Sequence, residues 1–224
     1  MRLLEDIAEL LFPTRCSGCE LPGAVLCDTC RDALPRIDPA GACPACGAPF
    51  GYLTCTECWN RAWAFSAGLA LGEFELPLSR SVVLHKDGGE RRLAAVLGIL
   101  LAEQVGREWP GWAESVAFVP ATRAALRRRG FDHGRAIANV VADELGLPLL
   151  EGLERAHARD QRALGRVARA ENVAGSFSAT DRLSGRILLT DDVFTTGATF
   201  DAAAGALLHA GAEEIRVAAV ARTW

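Results

Sequence analysis

The sequence predicts an α/β domain built on a parallel sheet with helices on both faces, preceded by a small metal-binding module. Two observations carry this prediction. From Ala67 onward, short runs rich in Val, Ile, Leu and Ala alternate with helix-length segments, and all eight cysteines fall between Cys16 and Cys58. Buried parallel strands read as continuous apolar runs, and joining two of them requires a crossover, usually a helix. A chain of 224 residues with 50% hydrophobic content is long enough for one such domain plus a small appendage.

Taken in order, residues 2–11 place Leu3, Leu4, Ile7, Leu10 and Leu11 on one helical face, predicting a short amphipathic helix that Pro13 ends. From Pro13 to about Asn60 the chain is rich in Gly, Pro and Cys and poor in large aliphatics, so it cannot build an apolar core of its own. The texture changes after Trp63, which sets an expected boundary between a module over 1–62 and an α/β domain over 63–224. Strands are predicted at Ala67–Phe74, Ser115–Val119, Arg186–Thr190 and Ile215–Val220, and helices at Glu90–Val105, Arg135–Leu145 and Ala198–Ala210. In sheets of this kind ligands sit at the carboxyl ends of the strands.

The cysteines form four CxxC pairs, Cys16/Cys19, Cys27/Cys30, Cys43/Cys46 and Cys55/Cys58, with seven residues inside the first double pair and eight inside the second. A CxxC turn aims two thiolates at one ion, and two such turns complete a four-sulfur shell suited to zinc. One or two Zn²⁺ ions are expected. Sequential ligand sets need the shortest loop closures, and a cross-braced pairing is the alternative. Disulfides are disfavoured because the chain reads as cytosolic and has no cysteine elsewhere. Closed four-cysteine sites are structural, so the expected role is folding and docking, giving a zinc-ribbon-like module.

Residues Ile187 to Thr199 read ILLTDDVFTTGAT: an apolar strand, two adjacent acids, then a small hydroxyl- and glycine-containing loop that opens a helix. The backbone N–H groups of such a loop, with the hydroxyls of Thr195, Thr196 and Thr199, can surround a phosphate at a helix N-terminus, where the dipole favours an anion. Gly197 permits close approach. Asp191 and Asp192 can accept hydrogen bonds from ribose hydroxyls, directly or through Mg²⁺. An Asp pair before Thr-Thr-Gly could be a mere helix cap, but strand, acids and loop in one stretch favour function. The segment resembles the ribose-phosphate signature of type I phosphoribosyltransferases. That resemblance implies a type I phosphoribosyltransferase-like fold and binding of phosphoribosyl pyrophosphate with Mg²⁺, with Asp191 and Asp192 catalytic and Thr190, Val193, Thr195, Thr196, Gly197, Ala198 and Thr199 contacting the ligand.

Further stretches narrow the resemblance. They are VPATRAALRRRGFDHGRAIA from Val119 to Ala138, the ordered set Arg155, Gln161, Leu164, Arg169, Asn172 and Gly175-Ser176-Phe177, and LHKDGG around Lys86, the single lysine among 24 basic residues. With the cysteine pairs, they make nearly the whole chain similar to the ComF family of competence-associated proteins. This chain carries Arg129-Gly130-Phe131-Asp132-His133 where that family usually has Arg-Gly-Phe-Asn-Gln. The resemblance implies that Ala121, Thr122 and Arg123 contact pyrophosphate, with Lys86, in a Gly-flanked turn, and Arg129 supplying positive charge, and that Lys86 is catalytic together with Asp191 and Asp192. It also implies that Glu154 to Asn172 covers the site, and that the protein acts in uptake or processing of single-stranded DNA during transformation, beside a competence helicase and a DNA-processing protein. Arg127 and Arg128 read equally well as a solvated helix face, and the four histidines show no metal-ligand spacing.

The net charge of −4 excludes a protein that coats nucleic acid by bulk electrostatics, and no apolar run reaches membrane-spanning length, so the chain reads as soluble and cytoplasmic. Three functions compete: an enzyme in which an unidentified acceptor displaces pyrophosphate, a ligand-sensing or docking module, and nucleobase salvage, which the cysteine module argues against.

Overall fold

The computed structural model of the chain describes residues 13–155 and 176–224; the helix expected over 2–11 and most of the covering segment expected over Glu154–Asn172 lie outside them. Five parallel strands form the sheet: β1 (Ala67–Glu73), β2 (Ser115–Phe118), β3 (Leu149–Leu150), β6 (Arg186–Phe194) and β7 (Glu214–Arg222). Their spatial order is β1-β7-β6-β2-β3. A two-stranded antiparallel ribbon, β4 (Leu153–Arg155) with β5 (Phe177–Ala179), stands apart from the sheet.

The strands alternate between two cores, as the period of two in a strand requires, until Val220 and Ala221 at the end of β7 both join the first. Leu69, Leu71, Val116, Phe118, Leu188, Ala218 and Val220 face α2 (Leu78–Lys86), α3 (Leu93–Glu108) and α5 (His133–Leu145). On the other face, Ala70, Ala117, Val119, Ile187, Leu189, Val217 and Ala219 pack with α6 (Ala198–His209). The parallel sheet with helices on both faces is therefore present. The connection β2-α5-β3 crosses the first face and β6-α6-β7 the second, so adjacent strands β2 and β6 lead away in opposite directions. Such a reversal opens a crevice at the carboxyl ends of the two strands.

The cysteine-rich segment, with the short helix α1 (Asp28–Asp32), wraps the free edge of β1. Ile37 N–H donates to Leu71 O (3.1 Å) and Glu73 N–H to Pro35 O (2.8 Å), which caps the edge that would otherwise invite pairing with another chain. A Cβ at Gly72 would come within 2.5 Å of Pro35 O, so this close approach needs glycine. The segment joins both cores rather than forming one of its own: Cys16, Leu26 and Leu34 pack into the first, and Ile37, Ala42 and the cysteines of the second double pair into the other.

Two elements differ from expectation. Lys86 ends helix α2 instead of sitting in a turn; the helix is short and is held by burying Leu78, Ser81, Val82 and His85. Strand β6 continues past Thr190 to Phe194, because Asp191, Val193 and Phe194 still pair with Ala219, Ala221 and Arg222 of β7. Among the described residues no helix is long and apolar enough to cross a membrane.

Candidate functional site

The eight cysteines resolve into two sequential clusters, Cys16/Cys19/Cys27/Cys30 and Cys43/Cys46/Cys55/Cys58, each with its four sulfurs within 4.8 Å of one another. None is in a disulfide. A tetrahedral site with Zn–S bonds of about 2.3 Å has S···S edges of about 3.8 Å. The pairs Cys16/Cys27, Cys19/Cys27 and Cys46/Cys55 stand at 3.6, 3.7 and 3.8 Å. Backbone N–H groups of Gly18 and Cys27 donate to Cys16 Sγ, and that of Cys55 to Cys43 Sγ, the pattern that supports thiolates. Burial pushes the Cys58 thiol up, while at Cys16 backbone donors outweigh burial and draw the thiol down to about 6. Thiols held this close repel once ionised, and a dication relieves that repulsion. Both clusters can hold zinc, and the sequential pairing is the one the fold adopts.

A cleft of about 320 Å³ opens where β2 and β6 diverge. Lys86, the segment Val119 to Thr122, Arg128, Arg129, His133, Arg155, Asp191 and Asp192 line it. Asp192 is 2% exposed, and its Oδ2 receives Lys86 Nζ at 2.7 Å and faces His133 Nε2 at 3.5 Å. Burial would raise this carboxyl, but His133 and Lys86 outweigh burial and hold it well below the usual carboxylate range. Burial and the neighbouring Asp192 charge push Asp191 the other way, well above that range, although its Oδ1 accepts the Asp192 N–H at 2.9 Å. The two neighbouring acids are thus pushed in opposite directions by their surroundings, Asp192 toward the anion and Asp191 toward the protonated acid.

Arg129 is engaged within the protein. Its Nε and Nη2 donate to Asp87 Oδ1 at 3.0 and 2.9 Å, and Nη1 lies 3.1 Å from His133 Nδ1. Because a guanidinium only donates, that His133 nitrogen accepts, which leaves Nε2 carrying the hydrogen aimed at Asp192. Asp132 caps α5, accepting from Arg135 N–H (3.1 Å) with one oxygen and from Ala121 N–H (2.8 Å) with the other. Two carboxylate oxygens meet two N–H donors, a task one amide oxygen would have to share, so the acid at this position ties the Pro120–Thr122 loop to the helix. Thr122 in turn caps α4 (Arg123–Arg129), accepting from Ala125 N–H at 3.1 Å.

Of the residues singled out in the sequence, Asp191, Asp192, Lys86, Ala121, Thr122 and Arg129 meet in this cleft. Arg123 starts α4 outside its lining. Thr190 is fully buried and donates to Ala117 O at 3.2 Å, bracing β6 against β2, and Val193 packs into the first core. Thr195 and Thr196 are exposed on the turn after β6, followed by buried Gly197 at φ 78° and half-buried Ala198 and Thr199. His133 had no spacing signal, and its approach to Asp192 emerges only from the fold. Arg128, read equally as a solvated face, and Arg155, whose Nε donates to Pro120 O at 3.2 Å, both reach the cleft. A larger hollow of about 890 Å³ runs along α6; half of its lining residues are alanine, and Ala198 and Phe177 are among them.

No protein-family model matches the chain. A DNA utilization protein, YhgH, of Salmonella typhi is 28% identical over 96% of this chain and 99% of its own length, and that of Escherichia coli K12 is 27% identical over the same shares. Competence protein F of Haemophilus influenzae is 25% identical over 88% of this chain and 90% of its length. Among solved structures, a Bacillus subtilis glutamine phosphoribosylpyrophosphate amidotransferase overlaps at a TM-score of 0.41 and 23% identity, covering 57% of this chain and 26% of that one. Leishmania tarentolae adenine phosphoribosyltransferase overlaps at 0.39 and 15%, covering 69% and 91%. These structural overlaps are partial, and the fold is read from the chain's own strand order. Similarity over nearly the whole chain to DNA utilization proteins and to a competence protein supports the resemblance to the ComF family of competence-associated proteins.

Proposed function

We propose that this chain binds phosphoribosyl pyrophosphate with Mg²⁺ in the β2/β6 cleft and serves in the handling of DNA. In this reading Asp191 and Asp192 receive the ribose hydroxyls, and their hard oxygen donors would hold Mg²⁺, which would supply positive charge to offset the ligand's phosphates. The loop Ala121-Thr122-Arg123 takes the pyrophosphate, with Arg128 and Arg155 adding charge, and the turn from Thr195 to Thr199 takes the 5-phosphate. Lys86 neutralises Asp192 before the ligand arrives, and Arg129 orients His133. The cysteine module over 1–62 acts as a docking and stabilising unit for the domain over 63–224. Transfer, where it occurs, requires an acceptor nucleophile that displaces pyrophosphate at C1. The observation that carries the reading is an acid pair at the switch point between β2 and β6, faced by Lys86 and by arginines from separate elements.

Isothermal titration with phosphoribosyl pyrophosphate, with and without Mg²⁺, tests it. Binding that requires Mg²⁺ and is lost in Asp191→Ala and Asp192→Ala is expected, and binding unchanged in both variants removes the assignment. Pyrophosphate release with a panel of bases separates an enzyme from a sensor. The names of the relatives support a role with DNA; retardation of single-stranded DNA at several salt concentrations tests direct contact, since phosphate contacts weaken steeply with salt.

A further inference from the structure

Arg222 ends β7 as a buried cation, 2% exposed, for which the chemistry above has no use. Its guanidinium lies over the Phe194 ring at 4.6 Å. Nη2 stands 3.8 Å from Cys46 Sγ, and the carbonyl oxygens of Phe194 (3.1 Å), Thr195 (2.5 Å) and Thr223 converge on Nη1. Two of those carbonyls open the turn that leads through Gly197 into α6. A planar guanidinium can hold a sulfur on one side and carbonyls on the other, whereas a lysine ammonium is a single point of charge. A buried cation needs a negative neighbour, and no carboxylate among the described residues pairs with Arg222. Four thiolates around a dication carry a net charge of about −2, and Cys46 brings that charge to Nη2.

A second strut reaches the same turn. A Cβ on Gly197 would come within 2.7 Å of the Trp63 ring, which stacks on Phe65 at a centroid distance of 5.0 Å. The Trp63 indole nitrogen is itself buried, with no hydrogen-bond partner among the described residues. The turn is thus braced at the Thr195 carbonyl by Arg222, which reaches Cys46, and at Gly197 by the Trp63 ring.

We propose that Arg222 is a positioning residue that ties the turn after β6 to the second cysteine cluster, so that ligand binding at the turn depends on whether that cluster holds its metal. This rests on the turn being the phosphate-holding segment. Coupling between the two sites is then reciprocal: ligand at the turn alters the cluster as the cluster alters the turn.

The test uses the full, zinc-loaded chain. Amide hydrogen exchange over residues 194–200 and calorimetric titration with phosphoribosyl pyrophosphate and Mg²⁺ are compared for the parent protein, Arg222→Met, Arg222→Lys, Cys46→Ser and Cys19→Ser. Arg222→Met and Cys46→Ser are expected to speed exchange at 194–200 and weaken binding by about tenfold or more, within the usual range of site coupling. Arg222→Lys, which keeps the charge but not the fork, leaves most of that loss in place. Cys19→Ser, which disables the first cluster, changes neither by more than about twofold, because that cluster packs into the other core through Cys16 and, among the described residues, shares no contact with the turn. In the cobalt(II)-substituted protein, adding the ligand shifts the thiolate–cobalt absorption, and in Arg222→Met it does not. The proposal is overturned if Arg222→Met leaves exchange and affinity within about twofold of the parent, or if Cys19→Ser is as damaging as Cys46→Ser. Should Arg222→Met not fold, unchanged exchange in Cys46→Ser overturns it equally. A parent protein that fails to bind the ligand at all refutes the function proposed above, and the exchange comparison still decides whether Arg222 holds the turn.

Discussion

Replacing Lys86 by methionine isolates the contact at the centre of the cleft. Lys86 Nζ lies 2.7 Å from Asp192 Oδ2, with the acid side chain 3% and the lysine side chain 30% exposed. Removing one partner of a fully buried pair costs about 3–5 kcal/mol, because the other charge stays behind without water or counter-ion. Here His133 still faces Asp192, and solvent reaches the lysine, so the loss is expected at about 2–3 kcal/mol. With a urea slope of about 2–3 kcal/mol per molar, the midpoint falls by about 1 M. Urea melts at pH 7 of the parent, Lys86→Met, Asp192→Asn and the double variant give the pair's coupling free energy directly, with about 1.5–3 kcal/mol expected for a hydrogen bond between charged groups. The double variant should be closer to the parent than Lys86→Met is, since it leaves no orphan charge. Additive losses, with coupling below about 0.5 kcal/mol, would falsify the assignment of Lys86 as the counter-charge of Asp192.

Three further outcomes follow from the same geometry. Metal analysis of the purified chain should find two zinc ions, and Cys43→Ser should lose one of them; a clearly substoichiometric metal content in the parent contradicts the sulfur geometry. Gly197→Ala places a methyl group at φ 78° against Trp63 and Phe194 carbons at 2.7 and 2.8 Å, which should cost about 2–4 kcal/mol in thermal or urea melts; a neutral effect shows that the turn is loosely held. His85 is fully buried, and burial lowers its pKa from the ordinary 6.5 despite the Glu90 and His133 carbonyls at its ring nitrogens. A depressed histidine stabilises the fold fully above the unfolded value and loses that contribution as pH falls through the folded one. The stability difference between the parent and His85→Gln should therefore be constant above about pH 7.5 and shift against the parent on acidification below 6.5; parallel pH profiles would show that His85 does not titrate on unfolding.

Much of the framework is legible in the residues because it depends on short-range spacing. The apolar runs at Ser115–Val119 and Ile215–Val220 are strands in the fold, and the CxxC pairs meet as their spacing predicts. The reading falters where a neighbour decides the outcome. Strand β6 outlasts its apolar run because β7 continues to pair with it. Helix α2 has a weak apolar stripe between Pro77 and Gly88 and forms because its buried face docks on α3 and the sheet. His133 reads as an ordinary residue until α5 turns it toward Asp192.

By itself the sequence determined what a few backbone dihedrals can determine: two thiolates from each CxxC turn, an apolar strand followed by paired acids, and a glycine turn into a helix. Tertiary structure decided the relations across long separations. Lys86 meets Asp192 across 106 residues, and Arg222 meets Cys46 across 176. Sequential pairing of the cysteines was the shorter loop closure in the sequence, but only the fold selected it. No local propensity specifies such contacts. They exist because burying both faces of one parallel sheet selects a strand order, and that order brings the ends of β2 and β6 together as a cleft and the end of β7 against the second cysteine cluster.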